Sequence, residues 1–234
     1  MKLDIYRNDN YMLNDAFDQA VMNVHILKKQ HGYKSFVICG CEAGDGTTTV
    51  AINLAAALAN SGWKTVLIDG DMRKKNRYKR LNENVSEGLS DYLMERVGFE
   101  NVVCETTTDN LYYIPCGELI DNPVRLLVSN GMNEVKKELD AKYDFIIYDM
   151  PAVNVSMDAK VVASNVDAVI LVNAIGETSK DGLINAVEAM KDVNVDIAGV
   201  IVNKMNIEDY KEINEAYDYF QDEKYAKLKS KKTK

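Results

Sequence analysis

CGCEAGDGTTTVAINLA, residues 39–55, carries an apolar run through a glycine-rich turn into a helical pattern. Such a strand-to-helix turn binds phosphate for a simple reason. Glycines let the backbone wrap closely, and unpaired N–H groups at the helix N-terminus point at the anion. Gly44, Asp45, Gly46, Thr47, Thr48 and Thr49 are therefore the candidate ligand cradle. In loops of this kind a lysine precedes the metal-binding hydroxyl, which makes Thr48 the Mg²⁺ candidate. Here Gly-Lys-Ser/Thr is replaced by Gly46-Thr47-Thr48, so the loop keeps its glycines and loses its cation.

Outward from the loop, short apolar runs alternate with longer helical patterns. SFVIC (35–39), TVLID (65–69), LYYIP (111–115), DFIIY (144–148), AVILVN (168–173) and IAGVIVN (197–203) read as strands. Their nearly continuous apolar content fits strands covered on both faces, as in a parallel sheet. Helices are expected over 12–29, 47–60, 88–96, 123–139, 156–164 and 179–191. In the second of these, Val50, Leu54 and Leu58 recur at four-residue spacing and Gly62 supplies a stop. Strand–helix alternation with right-handed crossovers predicts a doubly wound α/β fold, a mostly parallel sheet with helices on both faces. The economical organisation is one domain: an N-terminal helix (12–29), a nucleotide-binding core (34–205), and a C-terminal helix with a Tyr/Lys tail (206–234).

Three carboxylates fall at strand ends. TVLIDGDMR places Asp69 and Asp71 after one strand, and DFIIYDMP places Asp149 after another. In open parallel sheets ligands sit outside the carboxyl ends of the strands, so all three are expected near the loop. Carboxylates there can hold Mg²⁺ or serve as a base. One strand-end Asp is readily a helix cap; three of them beside a glycine loop point to a nucleotide site.

Bulk properties exclude other classes. The 234 residues are 47% hydrophobic and 27% charged, a globular composition with length for a real core. A net charge of −8 argues against a general nucleic-acid binder. No apolar run approaches the ~20 residues that span a bilayer, and the polar, acidic N-terminus does not read as a signal peptide. Cys39, Cys41, Cys104 and Cys116 are scattered, without disulfide-framework or zinc spacing, and read as buried thiols of a cytosolic protein.

The chain resembles the cytoplasmic bacterial tyrosine kinases of capsule and exopolysaccharide synthesis, relatives of the MinD/ParA-type P-loop ATPases. The resemblance covers roughly 34–205 and is carried by AGDGTTT, LIDGDMR, GLSDYL (88–93), NLYYIPCGELIDNPVRLL (110–127), YDFIIYDMPAV (143–153), DAKVVASNVDAVILV (158–172) and GVIVNK (199–204). It implies ATP or ADP with Mg²⁺ as cofactors. Asp69 and Asp71 would belong to the second nucleotide motif, as the catalytic candidates. Thr48, Asp71 and Asp149 would lie on the metal side, and Asn203 near the adenine. It further implies ATP-dependent phosphorylation of tyrosines in the chain's own C-terminal cluster, here Tyr210, Tyr217, Tyr219 and Tyr225. The implied partner is a membrane-embedded chain-length regulator that activates the kinase, which would bring a cytoplasmic protein to the inner face of the membrane.

Two departures bear on activity. The family lysine that pairs with the β- and γ-phosphates is Thr47. The family's Glu-x-x-Arg-x-x-Arg assembly helix reads Asp15, Asp18 and Val21 in DAFDQAVMN, so both arginines and their bidentate pairing are gone. A ring built in the family manner is not expected. The basic run RKKNRYKR (73–80) follows the second motif near the site's mouth and reads as a solvated face, with substitution for the missing lysine by Lys74 or Lys75 as the alternative. The leading expectation is a kinase-like P-loop protein of polysaccharide synthesis with weak or lost autophosphorylation. The alternative is a non-catalytic, degenerate kinase that acts as a regulatory partner of the membrane machinery. A MinD-like spatial regulator is the weaker third, since 207–220 is too acidic for a membrane-targeting helix.

Overall fold

A computed structural model describes residues 3–4, 11–73 and 87–206. Contacts divide the chain into a unit spanning Met1–Asn203 and a second, Lys204–Lys234, of which Lys204–Asn206 are described. Tyr210, Tyr217, Tyr219, Tyr225, Lys74, Lys75 and the C-terminal helix expected beyond 206 lie outside the described residues.

In chain order the elements are α1 (Tyr11–His31), β1 (Ser35–Gly40), α2 (Thr47–Asn60), β2 (Thr65–Asp69), α3 (Leu89–Leu93), α4 (Phe99–Val102) and β3 (Cys104–Glu105). They continue with β4 (Leu111–Ile114), α5 (Val124–Leu127), α6 (Asn130–Lys142), β5 (Phe145–Met150), α7 (Asp158–Ala163), β6 (Ala168–Ala174), α8 (Lys180–Lys191) and β7 (Asp196–Asn203). The described strands form one sheet in the order β3-β4-β2-β5-β1-β6-β7. Every pairing is parallel except β3 with β4.

The alternation of side chains along each strand builds two cores, one per face. Phe36, Ile38, Leu67 and Ile147 face α1 and α2, where Phe17, Val21, Val24, Val50, Leu54 and Leu58 pack. Val37, Ile68, Ile146 and Tyr148 face the other way, onto Leu89, Val135, Leu139, Val162 and Met190 of α3, α6, α7 and α8. Each fully buried Leu of α2 contributes roughly 1.5–3 kcal/mol through removal from water. The continuous apolar runs of the central strands thus have their cause in helices on both sides.

Boundaries differ from expectation where local chemistry interrupts a pattern. The helix expected over 123–139 is two, because Ser129 adopts an extended N-cap conformation (φ −71, ψ 161) and starts α6 afresh. The helix expected over 88–96 ends at Leu93, with Glu95 in left-handed backbone (φ 59). The four-residue α4 and two-residue β3 were not expected.

Candidate functional site: a nucleotide-type loop without its lysine

The loop leaves the carboxyl end of β1, flanked in the sheet by β5 and β6. Gly44 (φ 95) and Gly46 (φ 85) lie in the left-handed region that an L side chain resists. A Cβ on Gly46 would also overlap Asn203 Nδ2. Gly46 is the N-cap of α2 with no side-chain cap bond, so the first amides of a 14-residue helix open toward the loop. The Thr47 hydroxyl sits over Gly40, where an added Cβ would be 2.8 Å from Oγ1.

A cleft of 440 Å³ opens in front of this loop. Glu42, Gly44, Gly46, Thr47 and Thr48 line one side, Asp71 and Arg73 another, and residues from Met150 to Ser156 a third. Thr48 and Asp71, from different elements, therefore share one cavity. Among the described lining residues Arg73 is the one cation, and it is engaged. Its Nε donates to Asp158 Oδ2 at 2.6 Å and its Nη2 to Asp158 Oδ1 at 3.0 Å, against a carboxylate with no exposed surface. That hydrogen bond raises the Arg73 pKa further.

The remaining predicted residues are placed as follows. Asp69 and Asp149 are register partners on adjacent strands and share the sheet face that packs on α2. Asp69 Oδ1 accepts from Asp71 N–H at 3.1 Å, and Asp69 Oδ2 accepts from the Tyr113 hydroxyl at 3.3 Å. Burial pushes that hydroxyl well above its usual range, so it remains a donor. Asp71 Oδ1 accepts from Arg73 N–H at 3.2 Å. Asp149 is buried at the back, and neither it nor Asp69 lines the cleft. Asp45, in the middle of the loop, is buried and turned away from the cavity: Oδ2 accepts from Glu42 N–H at 2.8 Å and Oδ1 from the Thr178 hydroxyl at 2.5 Å. Asn203 Nδ2 donates to the Asp45 carbonyl at 2.7 Å, and the Thr49 carbonyl accepts from Asn53 Nδ2 at 2.7 Å. Among the described residues no three His, Cys, Asp or Glu side chains form a cluster able to hold a metal. Mg²⁺ needs none, since it is commonly held by one or two carboxylates together with ligand phosphates and water.

The motifs GLSDYL and IPCG form a brace behind the Asp71 turn. Gly88 packs so closely on Pro115 and Gly117 that a Cβ would overlap both backbones. Asp91 Oδ2 accepts from Gly88 N–H at 3.0 Å, and Ser90 Oγ donates to the Glu118 carbonyl at 2.8 Å. The braced segment reaches the site through Ile120 N–H to the Met72 carbonyl at 3.2 Å. Asp158, Tyr113 and Thr178 were assigned no role from the sequence, and Arg73, read as the start of a solvated basic face, instead lines the cleft and pairs with buried Asp158. Arg73 and Asp158 stand 85 residues apart, a spacing that carries no sign of their pairing.

Fold and loop together define a P-loop protein of the MinD-like class. Residues 34–207 match the AAA domain family. Tyrosine-protein kinase CpsD of Streptococcus pneumoniae serotype 4 is 32% identical over 176 residues, covering 74% of this chain and 77% of the relative. The crystal structure of the chimerical protein CapA2B2 matches with a TM-score of 0.78 at 27% identity, over 86% of this chain and 92% of that one. The cell division ATPase MinD of Pyrococcus furiosus matches with a TM-score of 0.63 at 26% identity, over 78% and 79%. The chain belongs to the CpsD/CapB type of bacterial tyrosine kinases, within the MinD/ParA-like P-loop ATPases. Among the described residues no helix is long and apolar enough to cross a membrane.

Proposed function

We propose that this protein is a kinase-like nucleotide-binding component of capsular or extracellular polysaccharide synthesis whose ATP-dependent tyrosine autophosphorylation is weak or lost. The observation that carries this reading is Thr47 in an otherwise formed phosphate loop, with the cleft's one described cation already bound to Asp158. The residues present fit Mg²⁺-ATP or Mg²⁺-ADP. Two left-handed glycines and the α2 N-terminus offer backbone donors, while Thr48 and Asp71 face one cavity. When bound, the nucleotide supplies the transferable phosphoryl group and Mg²⁺ neutralises its charge. The amides of 44–49 would orient the phosphates, Thr48 and Asp71 would hold the metal with Asp149 behind them, and Asn203, which holds the Asp45 carbonyl, would lie on the side of the base. Asp69 positions Asp71 through the Asp71 N–H bond. Asp71, the one of the two that lines the cleft, accepts the proton of an incoming tyrosine hydroxyl.

Threonine at 47 is uncharged and too short to reach the phosphates as a lysine does. Removing one preorganised donor of transition-state charge costs on the order of 10²–10³ in rate, about 3–4 kcal/mol. Backbone donors and metal survive that loss, so binding outlasts turnover. The acceptors are Tyr210, Tyr217, Tyr219 and Tyr225. The partner is a membrane chain-length regulator that recruits the protein from the cytoplasm to the inner membrane face. Any self-association would proceed without the family ring, because the arginines of that helix are absent. The non-catalytic reading is favoured by the Arg73–Asp158 pair, which occupies the one cation among the described residues that line the cleft.

The test is incubation of purified protein with Mg²⁺-ATP, with and without the cytoplasmic segment of its regulator, followed by phosphotyrosine mapping. Slow labelling of the four tyrosines, abolished by Asp71→Asn, is the expected result for residual activity. No labelling, with nucleotide binding retained, identifies the regulatory partner. Labelling at rates ordinary for a kinase contradicts the proposal.

A further inference from the structure

The turn between β6 and α8 braces the phosphate loop from behind. Thr178 Oγ1 donates to Asp45 Oδ1 at 2.5 Å and accepts from Ala174 N–H at 3.0 Å, so the hydroxyl is fixed from both sides. Ser179 Oγ donates to Glu42 Oε1 at 3.0 Å and caps α8 by accepting from Gly182 N–H at 2.9 Å. Asn203, at the end of β7, holds the Asp45 carbonyl. Asp45 is 2% exposed, although it sits between the two left-handed glycines of a loop built to receive an anion. A carboxylate removed from water is stable only when donors replace the lost hydration. A hydroxyl donating to it at this distance is among the strong hydrogen bonds.

We propose that Thr178 is a positioning residue of the nucleotide site. Through Asp45 it fixes the amides that follow, Gly46 to Thr48, in their anion-receiving arrangement before any ligand arrives. Donors fixed in advance spare the ligand the cost of ordering them. That matters more in this chain than in a loop with lysine, because no charge at 47 compensates for wandering amides. The same contact explains how an acidic residue is accommodated inside a phosphate loop: its carboxylate oxygens point into the protein, its N–H donates to the Glu42 carbonyl at 3.4 Å and its carbonyl accepts from Asn203. This inference rests on the nucleotide reading, and the test separates the two.

Thr178→Val keeps the shape and removes the donor, whereas Thr178→Ser keeps the donor. Amide hydrogen exchange of the ligand-free protein reads loop order directly, and calorimetry with Mg²⁺-ADP reads affinity. In Thr178→Val, exchange across 41–48 is expected to rise about tenfold while the strand 145–150 stays protected. Mg²⁺-ADP affinity is expected to fall roughly tenfold, as for one lost hydrogen bond to a charged group. Thr178→Ser is expected to restore both. Unchanged exchange in the loop overturns the proposal, and so does a rise spread evenly over the whole chain, which marks a merely structural residue. If the wild type binds no Mg²⁺-ADP, the nucleotide reading falls, and the exchange pattern still decides the role of Thr178.

Discussion

At the scale of single residues, this molecule separates the shape of a phosphate loop from its charge. Gly44 and Gly46 take left-handed backbone that other residues resist, and α2 opens its first amides toward the cleft. Thr47 contributes a hydroxyl lying over Gly40 where an ammonium would reach the ligand. Carboxylates here take positions according to their donors. Asp45 serves the loop's interior and Asp71 the cavity, a division invisible in a sequence that shows only their spacing. The same rule governs Asp167, which joins β6 to β1 far from the cleft. Burial alone would raise its pKa, but Lys34 N–H, Ser35 N–H and Ser35 Oγ all donate to Oδ2 and hold it below its ordinary value near 3.8. A carboxyl whose folded pKa is depressed contributes stability that is present above the unfolded pKa and lost as pH falls through the folded one. Asp167→Asn is therefore expected to lower Tm at neutral pH and to flatten the loss of Tm below about pH 4. Equal slopes in the two proteins would contradict that assignment.

At the scale of elements, legibility followed length and burial. α2 is found over Thr47–Asn60, the interval expected from its four-residue apolar spacing and following glycine, because both signals are local. The central strands were legible because helices cover both faces and leave continuous apolar runs. β3 has two residues and pairs antiparallel at the edge, too short for any period to register. The break between α5 and α6 depends on one serine turning extended, which an apolar pattern running through 123–139 conceals. Also hidden was the tie between the Asp71 turn and α7 made by Arg73 and Asp158. Breaking such a pair leaves a buried charge uncompensated. Arg73→Ala is expected to cost about 3 kcal/mol, the lower end for buried pairs because the Arg73 side chain keeps 40% exposure. Replacing both partners together, Arg73→Met with Asp158→Leu, should recover most of that in denaturant unfolding. A double variant no more stable than Arg73→Ala would show that the pair itself, rather than an orphaned charge, sets the cost.

At the scale of the whole molecule, the sheet order places β1 between β5 and β6 and β2 beside β5, so the loop and the three aspartates gather at one end. That gathering was readable in advance, since parallel sheets put their sites at the carboxyl ends of strands. Which aspartates reach the cavity was not, because it depends on side-chain partners such as Tyr113 and Thr178 from distant segments. We propose that the site retains the shape to hold a nucleotide and lacks the charge to use it well. It is tested most directly by calorimetry with Mg²⁺-ATP on the wild type and on Thr47→Lys, with phosphotyrosine read in the same samples. Measurable wild-type binding, tighter binding in Thr47→Lys, and labelling that rises on the order of 10²–10³ when the lysine is supplied are the expected results. Equal affinity and equal labelling in the two proteins would contradict it.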